Sequence, residues 1–230
     1  MMKRASRKVS TDREALRFAA EAAYADSIFR SGLGDQKGSV VALERCLELD
    51  PSYAPAILSM GSVQYQLGRH AAGRRLFQLL LSLSTGTPEL GEIIDKAGDF
   101  LIHFGAYADG LGLYRGAVNR FPASAVFLQG LGCCAGHQGL HDEAVRASEH
   151  ALEIEPRNQA FANDLGWALL QSGRLREAEN MLERAVSMDA SDELAQENLR
   201  FCREKISEAR TKPATANNSF NRTVRKRPAG

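Results

Sequence analysis

The chain has 230 residues, 44% of them apolar and 25% charged, which excludes a wholly disordered or collagen-like chain and allows a sizeable buried core. Its net charge of +1 hides an acidic body: residues 1–19 carry six Lys/Arg against two acids and residues 211–230 five against none, leaving −8 for residues 20–210. No stretch approaches the roughly 18 uncharged apolar residues of a membrane span; the longest candidate, Leu76 to Leu83, is interrupted by Gln78 and Ser82.

The basic segment 1–12 does not read as an export signal, because Asp12, Arg13, Glu14 and Arg17 break any apolar run. Thr11 and Glu14 have capping-box spacing and predict that the first helix opens there. Beyond it the sequence repeats. Glycine pairs seven residues apart recur at Gly61/Gly68, Gly98/Gly105, Gly132/Gly139 and Gly166/Gly173; the last three pairs are spaced by 34 and the first gap is 37. Five residues after the second glycine stands a small residue (Gly73, Gly110, Ala144, Ala178). Four later come Phe77, Tyr114, Ser148 and Leu182, and three later Leu80, Ala117, Ala151 and Ala185. Those offsets lie on one helix face. Pro122 and Pro156 close two of the units, where the ring ends a helix. Each unit therefore reads as helix, glycine turn, helix, giving units at about 20–53, 54–87, 91–124, 125–158 and 159–192.

Thr87-Pro88-Glu89, in the longer gap, has the pattern of an N-cap with proline at the first helical position and predicts an early start for the next helix. Residues 193–208 set Leu199, Cys202 and Ile206 on one stripe amid charge, as a capping helix does. Residues 209–230, rich in Pro, Asn, Thr and basic side chains without apolar periodicity, are expected to be a disordered basic tail. The four cysteines form no CxxC pattern and suit a reducing, cytoplasmic setting. Adjacent Cys133 and Cys134 read as small buried thiols in a helix, with a redox pair as the alternative.

The runs Leu165-Gly166…Gly173…Ala178…Leu182…Ala185 and Leu131-Gly132…Gly139…Ala144…Ala151…Pro156 resemble tetratricopeptide repeats. Unit 91–124 agrees through Ala97-Gly98, Gly105, Tyr114, Ala117 and Pro122. Unit 54–87 departs at Leu80 and Thr85; unit 20–53 keeps Gly34, Leu43, Cys46 and Pro51 but has Asp26-Ser27 in place of an apolar-Gly pair. The resemblance covers roughly 13–206. It implies an all-α fold, a right-handed α-solenoid of about five helix-turn-helix repeats with a C-terminal capping helix. It also implies that the exposed face of each first helix lines a concave groove in which an extended or helical peptide of a partner protein docks.

In unit 91–124 the first helix places Ile93, Ile94, Ala97, Leu101 and Phe104 on one face and Glu92, Asp95, Lys96, Asp99 and His103 on the other. Taking that polar face in every unit, the groove candidates are Leu58, Ser62, Tyr65 and Gln66, then Asp95, Lys96, Asp99 and His103. Gln129, Cys133 and His137 follow, and then Asn163, Asp164, Trp167 and Gln171. Trp167 is either a partner anchor or a packing residue against the capping helix. The family's clamp for a terminal carboxylate, built from Lys, Asn and Arg, has no match at Leu58, Asp95, Gln129 and Asn163 or at Ser62, Asp99, Cys133 and Trp167. Asp95 and Asp99 would repel a carboxylate and favour basic or hydrogen-bonding groups.

Asp95, Asp99 and His103, one turn apart, with His137 in the next unit, come nearest to a metal pattern, but no HExxH or comparable signature accompanies them, and they read as a polar groove. No metal or cofactor is expected. GxSxG, GxxxxGK[ST] and a strand-borne GxGxxG are all missing from the sequence, so no enzyme activity is expected. The expected function is a non-catalytic scaffold for another protein or peptide. Two alternatives stay open. One is association with nucleic acid or an anionic surface through the basic ends, led by Arg222, Arg225, Lys226 and Arg227, against which stands the commoner solubilising role of such tails. The other is a regulatory or assembly subunit that self-associates by the solenoid edge.

Overall fold

The computed structural model describes residues 2–211, with side chains from residue 14 onward. Among the described residues the chain is entirely helical: α1 (Met2–Gly32), α2 (Gln36–Leu49), α3 (Ala54–Gln66), α4 (His70–Leu80), α5 (Leu90–His103), α6 (Tyr107–Arg120), α7 (Ala125–His137), α8 (His141–Ile154), α9 (Gln159–Gln171), α10 (Leu175–Met188) and α11 (Glu193–Thr211). The reversal inside each of the five hairpins falls on a glycine at positive φ: Gly34, Gly68, Gly105, Gly139 and Gly173, between 72° and 81°. A Cβ there would strain the turn, which is why the glycine recurs with the repeat. Asp35, Ser124 and Asn158 cap α2, α7 and α9 by accepting from the backbone N–H of Gly38, Phe127 and Phe161. Pro51, Pro122 and Pro156 follow the ends of α2, α6 and α8 and stop them.

Helices pack on their neighbours in sequence, and the first helices α3, α5, α7 and α9 stack in a row that α11 closes. That is the solenoid arrangement, in which each pair buries its apolar face only against adjacent pairs. One core runs unbroken from α3 to α11, while α1 and α2 add a smaller one made of Ala20, Ala23, Leu43 and Cys46 against Ala56 and Met60. The two helices of a pair meet where a glycine of the first faces a side chain of the second. A Cβ on Gly61, Gly98 or Gly166 would sit 2.3, 2.2 or 2.6 Å from Phe77, Tyr114 or Leu182, so only glycine admits those side chains. In the fourth pair the same place holds Gly132 against Ser148, and the filling side chain is missing.

Two helix starts differ from expectation. α1 runs back to Met2, so Thr11 lies inside the helix rather than at its N-cap, and the basic segment 1–12 is continuous with it; residues 2–31 contain neither Gly nor Pro to break it. α5 begins at Leu90, not at Pro88: Glu89 adopts φ 55°, outside the helical region, and Leu90 N–H donates to the Thr87 carbonyl in a turn. Arg120 of α6 secures that connection by donating to the carbonyls of Leu80 and Leu83 and, at 2.6 Å, of Leu81. α11 extends to Thr211; the tail residues Arg222, Arg225, Lys226 and Arg227 lie outside the described residues. No helix among the described residues is long and apolar enough to cross a membrane.

Candidate functional site

The inner wall is hollow where α5, α7 and α9 meet, with a cavity of about 370 Å³. α5 supplies Asp95 and Asp99, α7 supplies Gln129, Cys133 and His137, and α9 supplies Asp164, Trp167 and Gln171, so eight of the fifteen groove candidates converge on one place. Its floor comes from the second helices, through Tyr114 and Ser148. Ser148 occupies the repeat position that Phe77, Tyr114 and Leu182 fill elsewhere, and a hydroxymethyl group cannot close the gap they close. Glycines of α7 widen it. A Cβ on Gly130 would lie 2.2 Å from the Tyr114 ring, and one on Gly136 would lie 2.8 Å from Gln171 Oε1. Tyr114 therefore threads between α5 and α7, where its hydroxyl donates to Asp95 Oδ1 at 3.3 Å.

Three carboxylates set the electrostatics. Burial first, and then the negative charge of Asp99, hold the Asp95 carboxyl above the usual range, with the Tyr114 hydroxyl acting the other way. Asp164 is raised by burial against the amides of Gln129 and Asn163, and Gln129 Nε2 donates to its Oδ2 at 2.7 Å. No Lys or Arg pairs with Asp95, Asp99 or Asp164 among the described residues. Burial, followed by the charges of Asp164 and Asp99, also raises the Cys133 thiol, and Cys134 is pushed up to about 12, chiefly by burial. Neither is an activated thiolate. Cys134 is the buried thiol expected, whereas Cys133 departs from that reading by facing the groove.

Trp167 lies against the capping helix and also faces the groove. Its ring centroid lies 6.1 Å from that of Phe201 on α11, yet the residue stays 37% exposed and lines the cavity.

The other candidates lie elsewhere. Tyr65 is a core residue, 1% exposed, stacked on Phe77 and donating from its hydroxyl to Asp109 Oδ2 at 2.7 Å; at its repeat position the helix face turns toward the second helix, and only a small residue such as Gly136 leaves the groove open. Asn163 is 5% exposed and ties α9 to α11 by accepting from Asn198 at 3.0 Å. Leu58 packs on the core, Ser62 donates to the Leu58 carbonyl of its own helix, and Gln66 is exposed at the end of α3. Lys96 pairs with Glu92 at 2.7 Å. His103 turns back to the Asp99 carbonyl at 2.8 Å and does not line the cavity, whereas His137 lines it and stacks on Tyr107 at 3.8 Å. Among the described residues no group of three His, Cys, Asp or Glu is placed to hold a metal ion. Sequence reasoning missed Tyr114, Ser148 and Ile102 as cavity residues; the break in the Phe77, Tyr114, Leu182 column at Ser148 was the signal available.

A family model for the tetratricopeptide repeat matches residues 135–200. The small glutamine-rich tetratricopeptide repeat-containing protein 2 of Mycosarcoma maydis is 29% identical over 101 residues, which is 44% of this chain but only 29% of that relative's length. Among solved structures, YrrB, described as a TPR protein with an unusual peptide-binding site, superposes with a TM-score of 0.56 at 18% identity, over 77% of this chain and 90% of its own. The Sgt2 TPR domain from Aspergillus fumigatus gives 0.51 at 19% identity over 60% and 92% of the two chains. MamA from Desulfovibrio magneticus RS-1 gives 0.55 at 16% identity over 76% and 97%. At these identities the likeness establishes the fold, an all-helical repeat solenoid.

Proposed function

We propose that this chain, whose residues 135–200 match the tetratricopeptide-repeat model and whose fold is that of a repeat solenoid, is a non-catalytic, cytoplasmic scaffold that holds a segment of a partner protein in its concave groove, centred on the α5, α7, α9 cavity. The observation that carries this reading is the hollow itself. A well-packed wall would close it, and it is lined by three carboxylates without cationic partners and by an exposed indole. Exposed aromatic anchors surrounded by polar groups are the usual centres of protein recognition. A peptide site on the same fold has a precedent in the description of YrrB.

The test compares the intact protein with a Trp167→Ala/Asp99→Ala variant in an affinity capture from native lysate, after helical content is shown to be equal. Both side chains are exposed, so the variant should fold. A protein held by the intact form and released by the variant is the expected result; equal retention by both would remove the groove from the account.

A further inference from the structure

The lining of the cavity has the chemistry of a cation receptor. Asp99 of α5 is exposed and its carboxylate has no partner among the described residues. Asp164 of α9 accepts only from neutral amides, and Asp95 only from the Tyr114 hydroxyl. Asp99 of α5, Cys133 of α7 and Asp164 of α9 all line the same cavity. A second, independent observation lies on the floor. Ser148 is 3% exposed, opens into the cavity, and its hydroxyl has no hydrogen-bond partner among the described residues. The residue is almost wholly enclosed, yet its hydroxyl is left free to pair with a group that enters the cavity it lines.

We infer that the cavity seats one arginine side chain of the partner segment, its guanidinium between Asp99 and Asp164 and its flat face on Trp167. The inference rests on the groove reading above. Charge alone does not separate arginine from lysine, but shape does. A planar fork of donors serves two carboxylates from opposite walls at once, and a delocalised cation stacks on an indole better than a compact, strongly hydrated ammonium. The aliphatic stem passes the apolar lining of Val126 and Ala168. Ser148 and the side-chain carbonyl of Gln171 supply acceptors for the remaining N–H groups.

The chain has a single tryptophan, Trp167, so its fluorescence and its indole N–H resonance report on this site alone. The probes are acetylated, amidated heptapeptides Ala-Ser-Ala-X-Ala-Ser-Ala with X as arginine, lysine, leucine or the uncharged isostere citrulline. The arginine peptide should give a saturable shift with an affinity at least about tenfold above citrulline, with lysine between. An Asp99→Asn/Asp164→Asn variant, which keeps the acceptor for Gln129, should lose that preference while its melting temperature does not fall. Equal binding of citrulline and arginine, an undiminished arginine preference in the variant, or no saturable shift with any probe would overturn the inference. The captured partner separates this from failure of the groove reading. If the partner binds the Asp→Asn variant as well as the intact protein but is lost on Trp167→Ala, the groove stands and the arginine falls.

Discussion

The two halves of the inner wall use the same repeat to opposite ends. Around α3 and α5 the space is filled: Tyr65 stacks on Phe77 and His70, and Phe100 and Phe104 meet Tyr65 edge-on, so five rings close the wall. Around α7 and α9 the equivalent of Phe77 is Ser148 and the equivalent of Tyr65 is Gly136, and the wall is hollow. The backbone frame is the same, with a left-handed glycine closing each hairpin. The lesson is that a hollow arises in this solenoid where packing residues are withdrawn from a shared frame, because neighbouring repeats keep the backbone in place when one repeat gives up its filler.

The largest effect that sharpens this contrast comes from emptying the filled half. Phe77→Ala should cost about 3–5 kcal/mol, because Phe77 is 1% exposed at the centre of the ring cluster. Ser148→Ala, at the same repeat position, should cost less than about 1 kcal/mol. Urea unfolding followed by helical circular dichroism compares them, and equal losses would mean that the two halves are packed alike. Gly130→Ala comes next, at about 1–3 kcal/mol, since its Cβ would meet the Tyr114 ring at 2.2 Å; a neutral result would show that Tyr114 has room to move and does not shape the floor.

A smaller effect follows from the raised carboxyls of Asp95 and Asp164. A folded-state pKa above the unfolded value means that the folded chain holds these protons more tightly. Their contribution to stability is therefore most favourable below the ordinary carboxylate range and declines as pH rises through the raised values. Carboxylates held by donors, such as Glu143 beside Arg115, titrate with the opposite sign, so the test is differential. An Asp95→Asn/Asp164→Asn variant should melt slightly higher than the intact protein at pH 7, and the gap should close on acidification. A gap that widens in acid would contradict the burial that raises these groups.

The frame could be read in the sequence because it rests on residues whose reason is local. Glycines at Gly68, Gly105, Gly139 and Gly173 satisfy a backbone geometry, and Pro122 and Pro156 end helices through their own ring. The two helix starts that were misplaced depend on more than a motif. Thr11-x-x-Glu14 has capping-box spacing, but a helix-compatible stretch precedes it; Thr87-Pro88 offers an N-cap, but the chain reverses at Glu89 and is clasped by Arg120 from a helix two elements on. Helical spacing puts Asp95, Asp99, Gln129, Cys133, His137 and Trp167 on one face of their helices, and the structure gathers them around one cavity. It failed at Tyr65 and Asn163, whose burial is decided by what Asp109 and Asn198 present from other elements. Cavity volume is set by partners across helices, so Ser148 acquired its meaning only beside Gly132.

The most direct test of the central claim is a Ser148→Leu substitution, which copies into the fourth pair the leucine that lies against Gly166 in the fifth. Binding of the captured partner segment is measured beside the melting temperature. The account predicts a melting temperature equal to or above that of the intact protein and an affinity lower by at least about tenfold, as the closed floor displaces the segment. Unchanged affinity in a folded, filled variant would contradict the claim that the hollow opened by Ser148 is where the partner sits.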